Sequence, residues 1–411
     1  MSVPVVFVGD DFTGASDSLA RYAMAGWRTR LLVGENAPVE EPLDALGIAT
    51  DLRAETPAGI EAGVERIWPL IAAANPARLH LKICSTFDSS PTIGSVGAMV
   101  KALASRFRPD ITAVIGGQPS LGRYLAFGHL FAQGPDGQVH RIDRHPVMAQ
   151  HPVTPMQESD MRLHLAAQSL APLNLITTSD LAEPLAVAAT LRAGPTIFDV
   201  GQQGDLARIA DILDLVRGRQ LLVGASSVAE MLTDNSAAAS APEAPPPMHR
   251  GILLFAGSRS SITRAQVEAF RMGPTLRAGP AEICDPVSLI DACVDELSHN
   301  RPVLVSLDPD ASYSLSASAL ADQSVEILSQ ILAQAEIGYL GIAGGDTSSR
   351  ICSGLGFHSL EFHHQISAGV SICIGRHENE AMNRMRLMLK GGQMGGDLLF
   401  DDFCGFAGHR S

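Results

Sequence analysis

Short apolar runs rich in β-branched residues alternate with helix-period stretches along most of this chain, and that alternation limits the fold more than any other feature. Strands are predicted at 5–8, 31–33, 47–50, 79–83 and 111–115, and helices at 58–74 and 96–107. The 58–74 stretch places Ile60, Val64, Ile67, Leu70 and Ile71 on one stripe, the spacing of a helix that buries one face. Strand-helix-strand order of this kind predicts a mainly parallel sheet covered by helices. Residues 116–155, dense in Gly, Pro and His, interrupt it and are expected to be a long functional loop. Alternation resumes at 175–176, 196–198 and 221–223.

Residues 235–247 have no periodicity and end in a proline triplet, the composition of a linker. The α/β pattern restarts beyond it, with strands at 252–255, 303–305 and 339–343 and helices at 263–270 and 317–335. The expected organisation is therefore two α/β domains, 1–234 and 248–411, joined by 235–247, each with a mainly parallel or mixed sheet flanked by helices.

The chain carries 30 Lys and Arg against 44 Asp and Glu, a formal net charge of −14. That balance argues against a nucleic-acid or membrane surface, while leaving room for an anionic small molecule in a local cationic site. No secretory signal and no apolar run of transmembrane length is visible. The six cysteines form no Cys-x-x-Cys pair and read as free thiols in a reducing cytoplasm, with no zinc spacing.

Chemistry-bearing residues gather where predicted strands give way to helices. Asp10 and Asp11 follow the first strand, ahead of Thr13 and of Gly14, which is expected to make a tight turn into a helix from Ser16. Adjacent carboxylates there can accept a proton or bind a cation; the plainer alternative is that Asp10, Asp11 and Thr13 cap the helix. Lys82, with Ser85, Thr86 and Ser89 close behind, suits a ligand that is both carboxylate and polyol. Arg123 is placed to clamp a carboxylate with two hydrogen bonds. In the second half, 257–261, 344–349 and 390–396 combine glycine with hydroxyls, the makings of backbone phosphate cradles. His140, His145 and His151 lack metal-ligand spacing and are expected to be loop residues. Neither a Walker loop nor a dinucleotide fingerprint is present.

In this order the motifs resemble those of the four-carbon acid sugar kinases. The matching segments are Asp-Asp-Phe-Thr-Gly-Ala from Asp10, Lys-x-x-Ser-Thr from Lys82, Arg123, Pro-Val-Thr-Pro from Pro152 and Glu-Ser-Asp from Glu158. The second half adds Gly257-Ser258 with Thr263 and Gln266, Gly344-Gly345-Asp346-Thr347-Ser348, and the loop from Lys390 to Gly395. The resemblance implies an N-terminal acid-sugar domain, a C-terminal ATP domain and transfer in the cleft between them. By the same resemblance Asp10 or Asp11 is the catalytic base, while Thr13, Lys82, Ser85, Thr86 and Arg123 bind the acid. Ser258, Gly344, Gly345, Asp346, Thr347, Ser348, Lys390, Gly391 and Gly392 bind ATP, with Mg²⁺ positioned through water by Asp346. Cys84 and His151 stand where relatives commonly have Asp, Asp346 replaces Glu, and Gln393 departs from the loop core.

The expected activity is ATP-dependent phosphorylation of a hydroxyl on a threonate, erythronate or oxo-tetronate. A sugar-acid sensor with a degenerate nucleotide domain is the non-enzymatic alternative. Dehalogenase-type phosphatase chemistry is disfavoured because its acids are spaced Asp-x-Asp. The assembly is left open, a homodimer being one option.

Overall fold

The computed structural model describes residues 3–34, 42–233, 250–367, 369–392 and 394–409, and at Asp346 the backbone only. The expected linker and Gln393 lie outside the described residues. The strands run in chain order β1 (Val5–Gly9), β2 (Thr29–Leu32), β3 (Ala45–Ala49), β4 (Arg78–Lys82), β5 (Ile111–Ile115), β6 (Arg123–Ala126), β7 (His129–Gln133), β8 (Val139–Arg141), β9 (Asn174–Ile176), β10 (Thr196–Phe198) and β11 (Gln220–Gly224). Then follow β12 (Gly251–Ala256), β13 (Thr275–Ala278), β14 (Val303–Leu307), β15 (Ile337–Ala343), β16 (Ser359–Ser367), β17 (Val370–Arg376) and β18 (Arg386–Lys390). The chain divides into two compact units, Met1–Thr29 with Val39–Ala241, and Arg30–Pro38 with Pro242–Ser411.

In the first unit seven parallel strands lie in the order β3-β1-β4-β11-β5-β10-β9. Val5, Val6, Phe7 and Val8 of β1 are all buried, as expected of a parallel strand covered on both faces. The register puts Ala49, Gly9, Lys82, Gly224 and Ile115 in one row across neighbouring strands. The loops that follow these residues therefore start side by side at the carboxyl edge of the sheet, the usual ligand edge of such folds.

Two sequence expectations change here. The helix after β1 spans Phe12–Met24 rather than beginning at Ser16, with Asp11 as its N-cap. Gly14 consequently lies inside the first turn, and its role is space: a Cβ there would sit 2.4 Å from Asp11 Oδ1 and 2.7 Å from Lys82 Nζ. The stretch 116–155 is not one long loop; it contains the antiparallel sheet β6-β7-β8. Short strands carrying exposed polar residues, such as Val139–Arg141, leave too little apolar alternation to be seen in sequence.

In the second unit β13, β14, β12, β15 and β18 are parallel, and β17, β16 and the Leu31–Leu32 part of β2 continue the sheet antiparallel. Ser306, Ala256, Ala343 and Lys390 form the terminal row. The glycine-bearing loops expected to cradle phosphate, from Gly257, Gly344 and Gly391, all leave from that row. No helix among the described residues is long and apolar enough to cross a membrane.

Candidate active site

The aspartate pair of the first unit is built around an arginine that the sequence reading did not single out. Arg53 follows the end of β3, and β3 is the parallel neighbour of β1, so register brings it to the loop after Gly9. Its Nε and Nη2 donate to the two oxygens of Asp10 at 3.1 and 2.6 Å, and its Nη1 donates to Asp11 Oδ2 at 2.6 Å. The Arg53 amide also donates to the Asp10 carbonyl at 2.8 Å, so backbone and side chain lock the two loops together. The available signal was a lone arginine in the short segment between β3 and the next helix, but its partner is 43 residues away.

The two carboxylates differ in setting. Asp10 is buried, and burial raises its carboxyl above the ordinary value, with Arg53 opposing and Asp11 adding to the rise. Asp11 has 28% of its side chain exposed and also accepts the Gly14 amide on Oδ1 at 2.7 Å. Both readings of this residue, cap and chemical group, are thus compatible with its geometry. Lys82 is almost buried at the end of β4, donates to the Ile83 carbonyl at 2.9 Å, and lies over Gly14. Its charge also acts on Asp10. Two carboxylates and two cations share this corner and balance in charge.

The loop after Lys82 completes the corner. Thr86 Oγ1 donates to Asp88 at 2.8 Å and pairs with the Cys84 thiol at 3.1 Å. Burial, reinforced by Asp88, pushes that thiol up to about 11, so it is neutral at physiological pH. Cys84 is within electrostatic range of both Arg53 and Arg123, which places Arg123 on the same side of the sheet as the aspartates. Arg123 Nη1 donates to the carbonyls of Leu121, Gly122 and Gln133, while its buried Nε has no hydrogen-bond partner among the described residues. Thr13, in the first turn of the Phe12–Met24 helix, and Ser85, in the loop after Lys82, are half-buried. His151 holds its own turn, accepting the Thr154 amide at 3.1 Å. His140 pairs with Asp136, and His145 accepts the amides of Val147 and Met148.

In the second unit the expected loops interlock. The amides of Gly257 and Ser258 donate to the Ala343 carbonyl at 3.0 Å, and the Gly344 amide donates to the Lys390 carbonyl at 2.9 Å. Gly344 has φ 129°, a conformation natural to glycine, and a Cβ there would meet Thr347 Oγ1 at 2.9 Å. Helices Ser261–Ala269 and Gly345–Gly354 begin at these loops, so two helix N-termini lie beside them. Ser260 and Thr263 donate to the Gly392 carbonyl, and Gln266 Nε2 reaches the carbonyls of Met394, Gly395 and Gly396.

Lys390 is fully buried, with Nζ donating to Thr263 Oγ1 at 2.9 Å, and burial lowers its ammonium to about 8. Ser348 turns inward to the Ile342 carbonyl. The side chain of Asp346 lies outside the described residues. Among the described residues no group of three acidic, histidine or cysteine side chains converges to hold a metal.

One unit thus carries a corner of paired charged side chains and the other a cluster of interlocked glycine loops. Residues 5–232 match the family model of a sugar-binding N-terminal domain, and residues 253–400 that of a nucleotide-binding C-terminal domain. The chain is 30% identical to the 3-oxo-isoapionate kinase of Paraburkholderia graminis, over 96% of this chain and 93% of that protein. It is 31% identical to the 3-oxo-tetronate kinase of Methylobacterium radiotolerans, over 96% and 97% of the two chains. A solved structure from Salmonella typhimurium LT2 shares the fold at a TM-score of 0.81 and 22% identity, covering 98% of both chains. One from Haemophilus influenzae does so at 0.77 and 21%, covering 98% of this chain and 100% of that one. The chain belongs to the four-carbon acid sugar kinase family.

Proposed function

We propose that this protein is an ATP-dependent kinase that phosphorylates a hydroxyl of a small oxo sugar acid of the 3-oxo-tetronate or 3-oxo-isoapionate kind. The observation that carries the reading is the charge-balanced corner of Asp10, Asp11, Arg53 and Lys82 at the carboxyl edge of the sugar-binding domain's sheet. Phosphoryl transfer needs a group to take the acceptor's proton and donors to hold the acceptor in line. Asp11, the more exposed carboxylate, is assigned as the proton acceptor. Asp10 and Arg53 fix its orientation, and Lys82 neutralises the pair. Arg123, with an unused buried donor, is assigned to the substrate carboxylate, and Thr13, Ser85 and Thr86 to its hydroxyls.

Residues 1–234 are taken as the acid-binding part and 248–411 as the nucleotide-binding part, with phosphates against the 257–260, 344–348 and 390–392 loops. A Mg²⁺ is expected to arrive on the nucleotide, since such an ion needs only one or two protein carboxylates beside phosphate and water. Asp346 is the carboxylate proposed for it; the ion would neutralise phosphate charge. The free thiols fit a reducing cytoplasmic setting.

The test is ADP release with a panel of four-carbon acids and their 3-oxo forms. Turnover confined to oxo acids supports the proposal. Acid binding without ATP consumption would favour the sensor, and ATP-independent hydrolysis of phosphate esters would favour a phosphatase.

A further inference from the structure

We propose that Glu230 is the positioning residue for Arg123, acting through the 118–121 turn, and so sets the enzyme's affinity for the acid without touching it. The inference rests on the assignment of Arg123 to the substrate carboxylate.

Arg123 does not hold its own pose. Its Nη1 folds back onto carbonyls of Leu121, Gly122 and Gln133, so its direction follows the turn before it. That turn is closed by a two-bond bridge, with the Gln118 amide donating to the Arg123 carbonyl at 2.9 Å and the Arg123 amide to the Gln118 carbonyl at 3.1 Å. Gln118 is therefore the hinge post, and its side chain is fully buried. It donates from Nε2 to Ser226 Oγ at 3.1 Å and to Glu230 Oε1 at 3.0 Å. Ser120, in the same turn, donates to Glu230 Oε1 at 2.7 Å.

Glu230 thus takes two donors from the turn on one oxygen. It is held in place by Arg21 Nη1 at 3.6 Å and by Gln203 Nε2, which donates to Oε2 at 3.4 Å. Ser226 is fixed in turn by donating to Asp17. The anchors come from the helix Phe12–Met24, whose N-cap is Asp11, and from the Ser227–Thr233 helix after β11. The same scaffold thus presents the aspartates and fixes the turn that carries Arg123. Exchanging the carboxylate of Glu230 for an amide replaces charge-assisted acceptance by weaker, orientation-dependent acceptance, which frees the turn while preserving shape.

The experiment measures KM for the acid and for ATP, kcat and the unfolding temperature in Glu230→Gln, Ser120→Ala, Arg123→Ala and the Glu230→Gln/Arg123→Ala double variant. Ser120 is exposed, so its variant reports even if Glu230→Gln folds poorly. Glu230→Gln is expected to raise the acid KM about tenfold and Ser120→Ala about threefold, with kcat and the ATP KM held. The double variant is expected to be no worse than Arg123→Ala alone, because the anchor acts only through that arginine. An acid KM unmoved by both Ser120→Ala and Glu230→Gln, fully additive effects, or equal rises in both KM values would overturn the positioning role. If Arg123→Ala itself leaves the acid KM unchanged, the carboxylate assignment fails, and the positioning role fails with it.

Discussion

The two units end their parallel strands in the same way and use the result differently. In each, register lines up a terminal row: Ala49, Gly9, Lys82 and Gly224 in one, Ser306, Ala256, Ala343 and Lys390 in the other. The first unit fills the space above its row with charge, pairing Asp10 and Asp11 to Arg53 across two loops. The second fills it with backbone, packing glycines so closely that a Cβ at Gly392 would sit 2.5 Å from Ser258 Oγ. A site that must move a proton needs titratable side chains in fixed contact. A site that must hold phosphate needs amides at close range and helix starts nearby.

If that contrast is right, the largest effect of any single change lies in the first unit. Asp11→Asn is expected to lower kcat by about 10²–10⁴-fold while leaving both KM values near wild type, the size of a lost general base. Near-normal turnover in a folded variant would make the aspartate a cap and move the base elsewhere.

Next comes Arg53→Ala, which strands the buried carboxylate of Asp10. Removing one partner of such a pair costs about 3–5 kcal/mol. The pH dependence has a definite sign. Burial already raises the Asp10 carboxyl, and Arg53 opposes that rise, so the variant raises it further. A carboxyl raised on folding binds more protons in the native state, so its stability contribution falls as pH rises through the shifted value. Denaturant titrations should therefore find the variant closer to wild type at pH 4 than at pH 8. A deficit independent of pH would mean that Arg53 matters for packing alone.

The same contrast explains what was legible in the sequence. The glycine loops are contiguous motifs, so Gly257, Gly344 and Lys390 stand in the chain as they stand in space, each directly after or at the end of its strand. The charged corner is assembled by strand order, with β3 beside β1 and β11 between β4 and β5, and no local pattern records that order. Arg53 and Glu230 were invisible for this reason. Gly14 was noticed for the wrong cause: it clears room for Lys82 and the Asp11 cap instead of turning the chain. The buried strands were readable because a parallel sheet demands uninterrupted apolar runs. The hairpin of β16 and β17 was not, since Ser359–Ser367 carries two histidines, a glutamate and a glutamine and is only partly buried.

On the nucleotide side, a change in backbone freedom is expected to act through ATP alone. Gly344→Ala forces a side chain onto a φ of 129° and against Thr347. Strain of this kind costs about 1–3 kcal/mol. The ATP KM should rise several-fold more than the acid KM, and an equal rise in both would detach this loop from the nucleotide.

The smallest effect is the one that tests whether the second unit is free of titrating chemistry. Lys390 is buried beneath the glycine loop, donates to Thr263 Oγ1, and through that hydroxyl braces the Gly392 carbonyl. Burial brings its ammonium from an ordinary value of 10.5 down to about 8. Between those values the unfolded chain binds the extra proton, so this group's contribution makes stability rise with pH from about 8 towards 10.5. Affinity for an anion runs the other way, because the positive charge under the loop is present below pH 8 and lost above it. The ATP KM of the wild type should therefore climb a few-fold between pH 7 and pH 9, and nucleotide binding near pH 8 should take up protons, seen as a buffer-dependent heat in calorimetry. Lys390→Met keeps the length and the packing without the charge. It is expected to show the high-pH ATP KM at every pH and no linked proton. A variant that retains the wild-type pH profile would show that the lysine only props the loop, leaving the second unit a purely backbone site.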